Sequence, residues 1–467
     1  MKSKKKEFKN LIICVYNSDN MEFSYQTRKK DLQTLNGRYF DVIIVGGGIA
    51  GAGVASVLSA NGLSVLLMDK GDFGSGTSSN SSKLIHGGIR YLGQGHVLLT
   101  RELLRERNYL MKNTDIVKGT DFDILIDEKS WKRSTIYLGL FLYNMMGHDY
   151  HLPKFKRGKY NYKGFKGYFT YMDAVTDDAL LVLYNVITAK MLGAVAINYL
   201  EAKSFTEENG MVKIDMVDTL EGGNFSARAK VIVNATGPWI GELFSNYIGK
   251  KMENFKLSKG VHLILKADKF PYKNAIAFKS DIDGRQMFII PRGDTVIAGT
   301  TDDFVTTPEE WSVKESEKQY ILESVRRVFN NISEEDVVGS YSGIRPLYGK
   351  GDDPGRVTRD FHIEVSGKMV SVMGVKITNY RNASRKVAKQ VGGLLGKRIS
   401  TNELPQILYK RENGNDIETA VRNECALTVE DVIRRRVGYF YFKVDQGNSK
   451  IKEIEEAIGK IKNINNH

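Results

Sequence analysis

Residues 41–69 read DVIIVGGGIAGAGVASVLSANGLSVLLMD. The run 41–45 is apolar and β-branched, which predicts a buried strand. Residues 46–51 (GGGIAG) predict a tight turn, 52–60 a helix of small residues, and 64–69 (SVLLMD) a second buried strand. Strand, glycine loop, helix and strand in that order make the first unit of a doubly wound sheet. Gly46, Gly48 and Gly51 keep the G-x-G-x-x-G spacing, and Asp69 closes the second strand. Gly46 permits the turn, Gly48 lets the backbone approach a pyrophosphate, and Gly51 lets the helix pack on the strand. The helix N-terminus offers N–H groups and partial positive charge to phosphates. Asp69 can accept a hydrogen bond from an adenosine ribose hydroxyl. The motif alone leaves NAD and FAD both open.

Outward from this unit, 97–113 carries apolar residues at helical spacing, and 176–192 reads as a helix opened by Asp177 and Asp178. Residues 195–233 and 257–304 turn strand-like, with a Gly222-Gly223 turn. Residues 312–330 read as a helix, 369–374 as a strand and 377–396 as another helix. The strand at 230–233 ends in Asn234, Ala235, Thr236 and Gly237. An apolar strand ending in Ala-Thr-Gly is a second signature of FAD-binding folds, so the cofactor reads as FAD.

The 467 residues include 68 Lys+Arg and 55 Asp+Glu, a net charge of +13. The length suits several domains with a substantial core. Cys14 and Cys425 are the only cysteines, which excludes a disulfide scaffold and a Cys-rich metal site. No metal constellation is visible. The charge admits nucleic acid, an anionic membrane, anionic small ligands or a solvated surface. The most apolar run, 136–146 (IYLGLFLYNMM), is shorter than a spanning helix and suits a core or interfacial helix. Residues 1–20 read as an extension, with Met21 an alternative start. No basic aromatic strand motif is present, so nucleic acid is not an expected partner.

Further blocks follow the glycine loop. They are TSSNSSKLIHGGIRYL (77–92), TDDALLVL (176–183), VNATGPW (233–239), LSKGVHLIL (257–265) and FIIPRGDTVIAGTTDDF (288–304). YSGIRPL (341–347), VTRDF (357–361) and VKITNYR (375–381) complete the series. In this order they resemble the FAD-dependent glycerol-3-phosphate dehydrogenases over about residues 35–390. ECALTVEDVIRRRVGYFYF (424–442) resembles the C-terminal domain of that family more weakly.

The resemblance implies oxidation of sn-glycerol 3-phosphate to dihydroxyacetone phosphate, with hydride passing from C2 to flavin N5 and electrons then to a quinone or another acceptor. It implies non-covalent FAD, held by Gly46, Gly48, Gly51 and Asp69, by Thr77, Ser78, Ser82, Lys83, Leu84, His86 and Gly87, by Ala235, Thr236, Gly237 and Gly343, and by Lys376 and Thr378. A phosphomonoester calls for cations that bind bidentately, above all arginine. Arg90, Arg345 and Arg359 are the phosphate candidates, with Tyr91 lining the pocket and Lys376 beside substrate or flavin. His262 is the candidate base, with Arg345 or a water as rival; His262, Arg345 and Lys376 form the catalytic set. A cytoplasmic location follows, with contact to an anionic membrane face and a homodimer as open expectations.

The fold expected is α/β: a Rossmann-like FAD-binding domain of two-dinucleotide type, an α+β substrate domain on an antiparallel sheet, and a short helical C-terminal region. The boundaries are 1–38 for an N-terminal extension; 39–110, 170–250 and 340–390 for the FAD domain; 111–169 and 251–339 for the substrate domain; and 391–467 for a reduced C-terminal domain. Where the family reads Gly-Gly-Lys, this chain has Gly374-Val375-Lys376. The valine brings a β-branched side chain to where the backbone should pass the flavin. Another amine or hydroxy-acid flavoenzyme is the enzymatic alternative, and a non-catalytic or RNA-associated flavoprotein the alternative of another class.

Overall fold

The two apolar runs around the glycine loop become neighbouring parallel strands, Arg38–Val45 and Val65–Met68. A computed structural model of the chain describes residues 23–127, 133–149, 151–157, 164–351, 360–411 and 416–463. Cys14, residues 1–20, Arg359 and part of the basic stretch 154–166 lie outside the described residues.

Arg38–Val45 is the middle of the first sheet. The order across it is His362–Ser366, Met369–Met373, Asn224–Asn234, Arg38–Val45, Val65–Met68 and Val195–Ile197. All neighbours are parallel except the first pair. Parallel strands need crossovers that cover both faces, and the burial shows it. Val42 and Ile44 point to a core shared with the helices Ile49–Ala60, Asp178–Met191 and Tyr380–Leu395. Ile43 and Val45 point to the other side, onto the helix Ile240–Ile248 and the hairpin Leu200–Glu208/Met211–Asp218.

The second sheet has ten strands and is mostly antiparallel. Phe255–Lys266 lies one strand in from an edge, pairing with Thr295–Gly299, Asp303–Val305 and Val337–Tyr348. This register sets Ser258 opposite Arg345 and His262 opposite Tyr341. The expected two-sheet α/β architecture is what the chain adopts.

Three boundaries differ from those read in the sequence. Val337–Tyr348, which carries Arg345, belongs to the second sheet, and the first resumes at His362. From Phe23 onward the N-terminal segment is no appendage. Arg28, 1% exposed, pairs with Asp218 at 2.9 Å and donates to the Asn198 carbonyl, fastening the helix Tyr25–Gln33 to the first sheet. In the C-terminal region, Cys425, Ala426, Leu427 and Val432 share the core of the first sheet. A long-range packing partner is invisible to local pattern in both cases.

The apolar run 136–146 lies in the helix Arg133–Met146. Leu140 and Tyr143 are buried, while Tyr137, Leu138, Leu142 and Met145 face outward. Among the described residues no helix is long and apolar enough to cross a membrane.

Candidate active site

The two sheets enclose a cavity of about 660 Å³ at the carboxyl ends of the parallel strands. This is where doubly wound folds bind ligands.

One end is built by backbone. Gly46 has φ +104°, and a Cβ there would stand 2.4 Å from the Ala235 carbonyl oxygen. A Cβ on Gly51 would lie 1.9 Å from the Gly46 oxygen, so the helix meets the strand at glycine contact. Gly48 is the N-cap of the helix Ile49–Ala60. Ser78 Oγ accepts from the Ile49 N–H at 3.0 Å. The helix N-terminus and the 69–82 loop thus converge on a site suited to an anion. Asp69 accepts from the Gly47 N–H at 2.7 Å and the Gly71 N–H at 2.9 Å. Burial outweighs those bonds and pushes its carboxyl up to about 6.

At the other end Arg345, Lys376, Tyr91 and His86 line the wall. Arg345 donates from Nη1 to Asp302 at 2.9 Å and from Nη2 to Thr300 Oγ1 at 3.3 Å. Ser258 also donates to Asp302, which fixes the carboxylate that aims the guanidinium. Lys376 Nζ lies 5.2 Å from the Tyr91 ring centroid. Burial lowers the His86 pKa, opposed by Asp173 and assisted by Lys376.

His262 is 2% exposed and stands behind the wall rather than in it. Its Nε2 is 2.8 Å from Ser82 Oγ, and Ser82 does line the cavity. Its ring stacks on Tyr341, with centroids 4.9 Å apart. Burial, then Arg345 and Lys83, push its pKa down to about 3. Nδ1 has no hydrogen-bond partner among the described residues.

Of the residues singled out in the sequence, the wall contains Gly46, Gly48, Asp69, Thr77, Ser78, Ser82, Leu84, His86, Tyr91, Ala235, Thr236, Gly237, Gly343, Arg345 and Lys376. Others stand outside it. Lys83 is fully buried, ion-paired with Asp178 at 2.5 Å, its Nζ 3.6 Å from the Tyr441 ring centroid. Lys83 takes a left-handed φ of +55°, and with this turn Ser82 takes the cavity and Lys83 the core. Gly87 binds Asp173 through its N–H, and Thr378 Oγ1 accepts from the His86 N–H. Gly51 lies beneath the glycine loop, and Arg90 is exposed on the short helix Ile89–Gly93.

Lys376 does not open a helix. Asn379 Oδ1 accepts its N–H at 3.1 Å, forming a turn, and the helix begins at Tyr380. Gly374 takes the left-handed φ of +72° while Val375 has an ordinary backbone. The valine's backbone is therefore unstrained, and the residue lines the cavity.

Sequence reading passed over Trp239, Lys70, Asn80 and Phe288, which all line the cavity. Trp239 stacks on Trp311 at 6.0 Å, carries Lys70 Nζ 4.0 Å from its ring centroid and donates to Glu309. The GPW of residues 237–239 was the available signal.

A glycine-lined, helix-capped cleft beside a strand ending in Ala-Thr-Gly defines a dinucleotide-binding oxidoreductase. The model of the FAD-dependent oxidoreductase (DAO) family matches residues 41–367. The chain belongs to that family, and FAD is its cofactor. It is 32% identical over 433 residues to the aerobic glycerol-3-phosphate dehydrogenase of Staphylococcus epidermidis, covering 88% of this chain and 75% of that one. The same enzyme of Staphylococcus aureus is 32% identical over 401 residues, covering 81% and 71%. The crystal structure of a Bacillus halodurans glycerol-3-phosphate dehydrogenase complexed with FAD superposes with TM-score 0.71 at 24% identity, covering 95% and 97%. The FAD-bound L-α-glycerophosphate oxidase of Mycoplasma pneumoniae gives 0.62 at 16%, covering 80% and 98%.

The residues fit the cofactor. The space that a Cβ on Gly46 would fill lies in the turn below the helix N-terminus, and Gly343 allows the Asn80 carbonyl within 2.4 Å of its own Cβ position. The glycine loop, Asp69 and the 75–82 loop would hold the nucleotide half, and Val375, Lys376 and Gly343 the flavin half.

Proposed function

We propose that the chain oxidises sn-glycerol 3-phosphate to dihydroxyacetone phosphate. The observation that carries this reading is the convergence of Arg345 and Lys376 with the Ser82–His262 pair at one end of the cavity. The relatives' names support it. Bound FAD supplies the acceptor for the hydride leaving C2.

The protein residues do the rest. Arg345 holds the phosphate, its guanidinium aimed by Asp302. Arg90, Arg359 and Tyr91 complete the substrate set proposed from the matching blocks. Lys376 contributes positive charge beside the flavin. The C2 hydroxyl gives its proton to Ser82 Oγ as Ser82 passes its own to His262 Nε2. Burial and the nearby cations keep the ring neutral, so that it can accept a proton, and the same surroundings oppose the charge it then carries.

Electrons go on to a quinone or another acceptor at a membrane surface. Outward-facing Tyr137, Leu138, Leu142 and Met145, with Arg133, Lys154 and Lys156 nearby in sequence, support docking of this cap on an anionic bilayer from the cytoplasmic side. The deciding experiment is anaerobic addition of glycerol 3-phosphate to the FAD-loaded protein. Bleaching of the flavin is expected. Bleaching by amino or hydroxy acids alone would overturn the substrate assignment.

A further inference from the structure

We propose that residues 424–442 are a positioning element of the flavin site: Arg435 and Arg436 grip Asp72 while Tyr441 covers Lys83, and together they set the 69–83 loop. This rests on the reading of the cavity as the FAD site.

The first grip is an ion cluster formed across more than 360 residues of chain. Arg436 binds Asp72 bidentately, with Nη1 2.8 Å from Oδ2 and Nη2 3.0 Å from Oδ1. Arg435 Nε lies 2.8 Å from the same Oδ2, and its Nη2 2.7 Å from Asp431. Both carboxylates are fully buried. A buried carboxylate is tolerated only when it is paired and hydrogen-bonded, so Asp72 depends on these arginines for its place.

Asp72 is wired to the cofactor cradle. The next residue, Phe73, packs on the glycine loop so closely that a Cβ on Gly47 would sit 2.2 Å from its ring. Gly74 N–H donates to the Gly47 carbonyl, and Ser75 N–H to the Asp72 carbonyl. Displacing Asp72 therefore shifts Phe73 against Gly47 and Ser75 at the cavity wall.

The second grip is independent of the first. The Tyr441 ring centroid lies 3.6 Å from Lys83 Nζ, which also donates to the Ser79 carbonyl at 2.9 Å. Tyr441 Oη donates to Asn80 Oδ1 at 3.2 Å, and Asn80 Nδ2 to the Gly76 carbonyl at 2.9 Å. Thr295 of the second sheet donates to the Tyr441 carbonyl at 2.6 Å. The segment thus straps the loop at both ends and ties it to the sheet that carries Arg345.

The test compares Arg436→Gln with Arg436→Lys and Tyr441→Leu with Tyr441→Phe, reading FAD dissociation constants and the visible flavin spectrum. The Gln and Leu variants are expected to bind FAD about tenfold more weakly or worse; Tyr441→Phe should recover most of the loss and Arg436→Lys part of it, since lysine keeps the charge on Asp72 without the two-pronged grip. Coupling is reciprocal, so FAD must also slow amide hydrogen exchange at 424–442 in the unmodified chain, again by about tenfold. That measurement decides the matter if a variant fails to fold. Unchanged exchange on adding FAD, or unaltered FAD affinity in both Gln and Leu variants, overturns the inference. A wild-type chain that binds no FAD overturns the reading of the cavity instead.

Discussion

Replacing His262 by asparagine should change how many protons the protein takes up on unfolding. The ring is buried, with an ordinary pKa of 6.5 pushed down to about 3, first by burial and then by Arg345 and Lys83. Below pH 6.5 the unfolded chain protonates this residue and the folded chain does not. Its contribution to stability is thus complete above 6.5 and is lost as pH falls towards 3. The slope is about 1.4 kcal/mol per pH unit, so about 2 kcal/mol disappears by about pH 5. His86, also shifted down, is present in both proteins and cancels in the comparison. The assay is urea unfolding of the apoprotein in unbuffered solution at about pH 5, with back-titration of the protons taken up. Wild type should take up about one proton more than His262→Asn. Equal uptake would mean that His262 is already charged in the fold, and the neutral-base argument would collapse with it.

Arg345→Ala removes the proposed phosphate ligand and leaves the half-buried Asp302 without its guanidinium. A loss of about 2–4 kcal/mol is expected, seen as a KM raised at least about thirtyfold in steady-state assays. Gly51→Ala puts a Cβ 1.9 Å from the Gly46 oxygen. It should cost about 1–3 kcal/mol of stability and strip FAD on gel filtration. Val375→Gly should leave kcat and FAD affinity within about twofold, because Gly374 already supplies the left-handed turn. Charging the outer helix face with Leu138→Glu and Leu142→Glu should lower sedimentation with anionic vesicles at least about tenfold while leaving reduction of the flavin intact.

Legibility followed the distance over which each feature is encoded. The glycine loop, its flanking strands and the Ala-Thr-Gly strand end could be read because each is contiguous. A turn or a helix N-terminus depends on residues a few positions apart. Ser82 and Lys83 show where that reading stops. Both lie in a matched block, yet only one faces the cavity, because Lys83 takes a left-handed φ of +55° and turns onto the buried Asp178 and Tyr441. Val375 shows the reverse: a departure that looked disruptive carries no backbone strain, because Gly374 holds the unusual φ.

The sequence by itself determined the doubly wound sheet, the dinucleotide cleft, the family resemblance and part of the cavity wall. Backbone conformation and hydrophobic period are local properties, and they suffice for these. Only the tertiary structure decided that His262 sits behind Ser82, that Arg345 belongs to the second sheet and is aimed by Asp302, and that the C-terminal arginines grip Asp72. Those arrangements come from buried charges finding partners far away in the chain. Such partners are chosen by desolvation in the folded interior, which no local pattern records.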